Sequence, residues 1–191
     1  MLKKSVLLAL LIGILCFSAQ SARCQMVVHA VSGTVKAINP SSKSIDVDFE
    51  DGSKGHFKTS SKSSVTLSFD NDLRGDAVDA SDFKDVGSFA VIYYYGFASN
   101  RTAVAIKALG KGPFEKTVGK VVDFNKHDRL LTVRKSTGGN ETFRLSDQAV
   151  VDTGMSLQSG RKYSPGKGYS VRVTAMQSNG DNVAVFVWSR R

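Results

Sequence analysis

The chain repeats itself. Gly33-Thr34-Val35-Lys36-Ala37-Ile38-Asn39 returns as Gly119-Lys120-Val121-Val122-Asp123-Phe124-Asn125. At the same shift of 86 residues, Ile45 and Val47 align with Leu131 and Val133, Phe57 with Phe143, and Val65 with Val151. Further on the shift falls to about 80: Phe89, Val91 and Tyr93 match Tyr169, Val171 and Val173, and Val104 and Ile106 match Val183 and Val185. A repeat of this length is a small domain in itself, not one turn of a solenoid. The expected organisation is a leader over 1–22, a first unit over 27–110 and a second over 116–191. Lys111-Gly112-Pro113 is a linker short enough for the units to touch.

The dominant period within each unit is two. Ile45-Asp46-Val47-Asp48-Phe49-Glu50 alternates apolar and acidic residues, as a half-buried strand does, and Leu131-Thr132-Val133-Arg134 and Tyr169-Ser170-Val171-Arg172 repeat the pattern. Turn signals separate these runs at Asn39-Pro40, Asp51-Gly52, Gly138-Gly139 and Asn179-Gly180. The one helical turn expected lies at Ala80–Gly87, capped by Ser81 and stopped by Gly87. Gly33 and Gly119 fall inside the first strand of each unit, where glycine permits a bulge or a sharp bend. A strand coiled that hard suits a closed barrel, which also removes sheet edges. The fold expected is all-β: two small five-stranded OB-like barrels in tandem, with a two-sheet sandwich as the alternative.

The first residues read as an export leader. Lys3 and Lys4 precede an apolar run from Val6 to Phe17, and small residues follow up to Ala22. Twelve apolar residues fall short of the about 20 needed to span a bilayer, so cleavage near Ala22 is expected over an uncleaved anchor. No other long apolar run occurs, so no transmembrane span is expected in the mature chain, which is placed in the periplasm or outside the cell. Cys16 is lost with the leader, and Cys24 then has no second thiol for an internal disulfide.

The pattern Gly-x-Val, an apolar strand, a turn, a second apolar strand, a Phe strand and then Asp82-Phe83-Lys84-Asp85-Val86-Gly87-Ser88-Phe89-Ala90-Val91 before a closing Val104-Ala105-Ile106 strand resembles the small exported bacterial barrel domains of unknown function, often found in tandem. The resemblance covers nearly all of 31–109 and, less closely, 118–189, where Tyr163 to Gly168 departs from the pattern. It implies a barrel and export, and no activity. Periplasmic copper-efflux chaperones have a similar small barrel, but their Trp and Met metal motif is missing: Trp188 stands in the last strand with no Met beside it.

Motifs for chemistry are sparse. His29, His56 and His127 share no metal-ligand spacing, and His29 near Met26 and Cys24 is only a weak soft-metal set. No nucleophile elbow occurs. Gly110-Lys111-Gly112 and Gly166-Lys167-Gly168 lack the rest of a phosphate loop. Asp70, Asp72, Asp76, Asp79 and Asp82 form an acidic insert that lacks the closing Glu of a calcium loop. No enzyme, cofactor or metal is expected, although a metal-binding module stays open as an alternative.

Charge is the strongest remaining signal. The chain carries 26 basic and 17 acidic residues, unevenly spread: 9 against 10 over 27–110, but 14 against 7 over 111–191. Strand parity places Arg134, Arg144 and Arg172 outward on the second barrel, and Lys126, His127 and Arg129 lie in its first loop, beside the usual OB ligand face. These six are the candidate anion-binding residues. The competing reading is a solvated basic surface, or docking against the acidic Asp46/Asp48/Glu50 face. A second candidate is an outward aromatic patch of Tyr94, Phe186 and Trp188, either a ligand platform or the seam between the barrels. The function expected is an exported binding or structural module taking an anionic envelope or extracellular polymer. Single-stranded nucleic acid is the alternative ligand.

Overall fold

The computed structural model describes residues 27–65 and 69–191. The leader read over 1–22, with Cys16, Cys24 and Met26, lies outside the described residues. No helix among the described residues is long and apolar enough to cross a membrane.

Among the described residues the regular structure is nearly all β. The first sheet holds β1 (His29–Asn39), β2 (Ser44–Asp48), β3 (Lys54–Thr59), β4 (Val78–Asp79), β5 (Phe89–Tyr95) and β6 (Thr102–Gly110). β1 pairs with β2 and β5, β2 with β3, and β5 with β6, all antiparallel. A short parallel contact between β3 and β6 joins the two ends, so these five strands form a closed barrel, with β4 added outside β6. Closure satisfies backbone groups that a sandwich would leave at its edges.

The second sheet holds β7 (Phe114–Asn125), β8 (Leu130–Lys135), β9 (Asn140–Asp152), β10 (Leu157–Ser159), β11 (Ser170–Ser178) and β12 (Asp181–Arg190). β7 pairs with β8 and β11, β8 with β9, and β11 with β12; β12 runs parallel to β9, and β10 extends β9. The β11–β12 hairpin turns on Asn179 and Gly180, both at positive φ, the conformation a two-residue hairpin demands.

Gly33 and Gly119 do the same local work. A Cβ on Gly33 would meet the Asp48 carbonyl at 2.8 Å and Val47 Cγ1 at 2.7 Å, and a Cβ on Gly119 would collide with the Arg134 carbonyl. Their bare backbones let the neighbouring strand pass closely. The bulges fall a few residues later, at Lys36 in β1 and Val122 in β7, rather than at the glycines.

Among the described residues, three apolar clusters form the core. Val35, Ile45, Val47, Phe57, Ile92 and Ile106 fill the first barrel. Val121, Leu131, Val133, Phe143, Val173 and Val187 fill the space inside the second sheet. The third lies between the sheets and draws Ala30, Phe69, Leu73, Val91 and Tyr93 from the first against Val150, Leu157 and Phe186 from the second.

Register corrects the later half of the sequence alignment. Gly33 faces Ala90 and Gly119 faces Val171, so β5 and β11 correspond at a shift of 81. A one-residue slip reverses every side chain. Tyr94, expected outward, therefore packs with Ile92 on the interior cluster of the first barrel, while Val91 and Tyr93 face the second sheet. The match of Val65 to Val151 also breaks: Val65 ends a 3-10 turn in the cluster between the sheets, and Val151 lies in β9 inside the second sheet. The expected helical turn at Ala80–Gly87 is a run of turns instead. The helix is Asn71–Arg74, because Asp70 accepts from the Asp72 amide and caps it.

Candidate functional site

Two cross-strand rows meet on the outer face of the second sheet. In one, Arg134 of β8 faces Lys120 of β7, Lys120 faces Ser170 of β11, and Ser170 faces Arg190 of β12. In the next, Val118 faces Arg172, Arg172 faces Trp188, and Trp188 faces Asp152 of β9. Residues two apart along a strand share a face, so both rows present the same side. A groove of about 460 Å³ lies over them, with Lys120, Arg134, Lys135, Arg172 and Trp188 in its wall and no acidic residue among those that line it.

The charges in this groove are poorly compensated. Lys120 directly opposes Arg134, a like-charge pair that destabilises a sheet. Among the described residues, Lys120, Arg134 and Arg172 form no ion pair, and Lys135 reaches Glu141 only at 3.9 Å. Cations gathered without acids raise the local potential and favour an anion from solution. Arg172 Cζ lies 5.0 Å from the Trp188 ring centroid and Arg190 Cζ 4.2 Å from it, so the indole carries two guanidinium contacts.

Trp188 and Arg190 are fixed from below. Trp188 packs on the cluster between the sheets. Arg190 Nη1 donates to Asp152 Oδ1 at 3.2 Å and to the Asp152 carbonyl at 3.0 Å. Asp152 is 2% exposed, and its carboxylate also accepts the Gly154 amide at 2.6 Å and, from β1 of the first barrel, the Ala30 amide at 2.9 Å. One carboxylate therefore ties the groove's edge to the seam between the sheets.

Of the six expected anion-binding residues, the fold brings Arg134 and Arg172 together. Arg144 is ion-paired with Asp181 at 2.7 Å, away from the groove. Lys126 and His127 are exposed at the β7–β8 turn, about 20 Å of strand beyond Lys120. Arg129 leaves the set: its guanidinium donates to the Tyr163 and Gly160 carbonyls and packs on Phe124, so it buttresses the loop before β11. In the aromatic patch, Trp188 and Phe186 face outward into the groove edge and the seam, whereas Tyr94 turns inward against Phe57. Lys120 and Lys135 were missed. Lys120 stands between Gly119 and the inward Val121, so parity alone marks it as outward. Its alignment with Arg134 needs the register.

The acidic face and insert of the first unit have other occupations. Asp46 pairs with His56, Asp48 with Lys36, and Glu50 with Lys116 of the second sheet at 3.3 Å. Burial pushes the Glu50 carboxyl up, with Lys116 opposing. Asp70 and Asp72 hold Lys162 at 3.0 and 3.1 Å, clasping the insert to the second sheet. The Lys162 hydrogen bond holds the Asp72 carboxyl below its usual range, and Lys162 is raised in turn, mainly by Asp70. Lys107 takes Asp76, and Lys62 lies beside Asp79. Among the described residues, no three His, Cys, Asp or Glu side chains converge as a metal centre requires. His29 instead faces Asp152 at 3.5 Å. No known family pattern matches this chain, and no characterised protein is significantly similar to it.

Proposed function

We propose that this chain is a non-enzymatic exported binding module that captures an anionic polymer of the envelope or extracellular space in the groove of the second sheet, with the first barrel as a packed support. The observation that carries the reading is the meeting of Lys120, Arg134, Lys135 and Arg172 around one groove whose lining holds no acid. The reading treats the two sheets as OB-like units from one duplicated ancestor. Support comes from the matching order of strand partners and from glycines and bulges at matching positions in β1 and β7. Export rests on the composition of residues 1–22.

A charge-recognised polymer is favoured over single-stranded nucleic acid. Strand binding needs aromatic faces open to bases, and Trp188 already carries the guanidiniums of Arg172 and Arg190.

Binding of heparin at low salt tests the reading. Wild-type affinity should fall steeply with salt, because the attraction is screened. Arg134→Glu with Arg172→Glu should weaken binding at least about tenfold without unfolding, since both side chains are exposed. Lys54→Glu with Lys58→Glu, exposed on β3, should change it less than about twofold. Equal losses from the two pairs would reduce the site to diffuse charge, and no binding at low salt would end the reading.

A further inference from the structure

We infer that the ligand is a linear acidic polysaccharide that runs from this groove across β12 into a second cavity; the inference rests on the groove reading above. The second cavity, about 510 Å³, has Tyr163, Tyr169, Ser189, Arg190 and Arg191 in its wall, and no Asp or Glu side chain lines it. The two hollows are neighbours through the chain itself. Tyr169 precedes the Ser170 of the groove, and Ser189 and Arg190 follow its Trp188. Ser170 and Arg190 are direct cross-strand partners, so Arg190 stands on the divide.

The track has an extent. From Arg134 on β8 to Arg190 on β12 there are three strand-to-strand steps, or about 14 Å. Arg190 is already held by Asp152, so a single small anion in the groove would leave Arg191 unmatched, and one in the second cavity would leave the groove's cations unmatched. A chain with repeated negative groups meets both.

The chemistry also changes along the track. The groove offers mainly cations. The second cavity adds the exposed hydroxyl residues Ser156 and Ser164 beside its cations, and Arg191 Cζ is 5.9 Å from the Tyr169 ring centroid. Hydroxyl donors and acceptors beside guanidiniums suit a sugar that carries carboxylate or sulfate groups. Binding two neighbouring hollows makes the second contact intramolecular, so affinity should rise with ligand length once both are reached.

The experiment titrates the full chain with a heparin-derived disaccharide and an octasaccharide at one low salt concentration, on wild type, Lys120→Glu and Arg191→Glu. The octasaccharide should bind wild type at least about tenfold more tightly than the disaccharide. Arg191→Glu, at an exposed position, should weaken octasaccharide binding about fivefold and leave the disaccharide within about twofold. Lys120→Glu should weaken both. Length-independent affinity, or an octasaccharide indifferent to Arg191→Glu, would overturn the track and leave the groove standing. Failure of wild type to bind either sugar would overturn the groove and the track together. An oligodeoxythymidylate of matched charge binding more tightly than the octasaccharide would overturn the polysaccharide.

Discussion

The two sheets put corresponding positions to opposite uses. On the first barrel, Ser32 faces Val91 and Val91 faces Lys107; on the second sheet, the matching row is Val118, Arg172 and Trp188. Val91 has no solvent exposure and lies in the cluster between the sheets, whereas Arg172 is exposed over Trp188. The next row repeats the contrast: Asp48 and Thr34 on the first barrel stand where Arg134 and Lys120 stand on the second sheet. One face has become an adhesive surface for its neighbour and the other a cationic groove. Strand pairing leaves a barrel's outer face free to vary, because the interior alone satisfies the core. Two sheets with the same strand pairing can therefore carry different outer faces.

Exchanging the two key residues tests this contrast most severely. Val91→Arg should lower stability by about 3–5 kcal/mol in urea unfolding, because it places an unpaired charge in the seam. Arg172→Val should stay within about 0.5 kcal/mol while weakening heparin binding. Normal folding of Val91→Arg would mean that the first face is not committed to docking.

Asp152→Ala comes next. The carboxylate satisfies two amides and Arg190 while almost wholly buried, so its loss should cost about 2–4 kcal/mol and free the Trp188 edge of the groove. Calorimetric unfolding together with Trp188 fluorescence would report both effects. A change in neither would separate the groove from the seam.

The smallest effect belongs to the Lys162 clasp. Asp72, held below its ordinary range, contributes stability above the unfolded carboxylate value of about 3.9, and that contribution fades as pH falls through the lowered native value. Lys162, held above its ordinary range, contributes below about 10.4 and loses that contribution as pH rises through its raised value. Lys162→Met should therefore be slightly less stable than wild type through neutral pH and converge with it in strong acid. Unfolding midpoints measured from pH 2 to 8 check this (pH range set by the carboxylate value above). A gap that persists undiminished at the acid end would assign the difference to packing rather than charge.

Much of this was legible in the residues. Alternation marked β2, β8 and β11, glycine marked the first strand of each unit, and parity placed Arg134, Arg172 and Trp188 outward. The slip to a shift of 80 came from matching apolar runs in β5, where Ala90 to Tyr93 are buried on both faces and alternation gives no parity. The same ambiguity misplaced Tyr94. Arg129 was misjudged because nothing local announces that a loop arginine will meet carbonyls 31 and 34 positions away.

The sequence by itself determined the strand class, the glycines in the first strand of each sheet and the excess of positive charge over the second half. These follow from local periodicity and composition, which neighbouring residues impose on one another. Only the tertiary structure decided which cations share a groove, which acids are already taken and which outer face is buried. Those outcomes depend on cross-strand register and on contacts between residues more than a hundred positions apart, such as Ala30 with Asp152, and no local pattern encodes them.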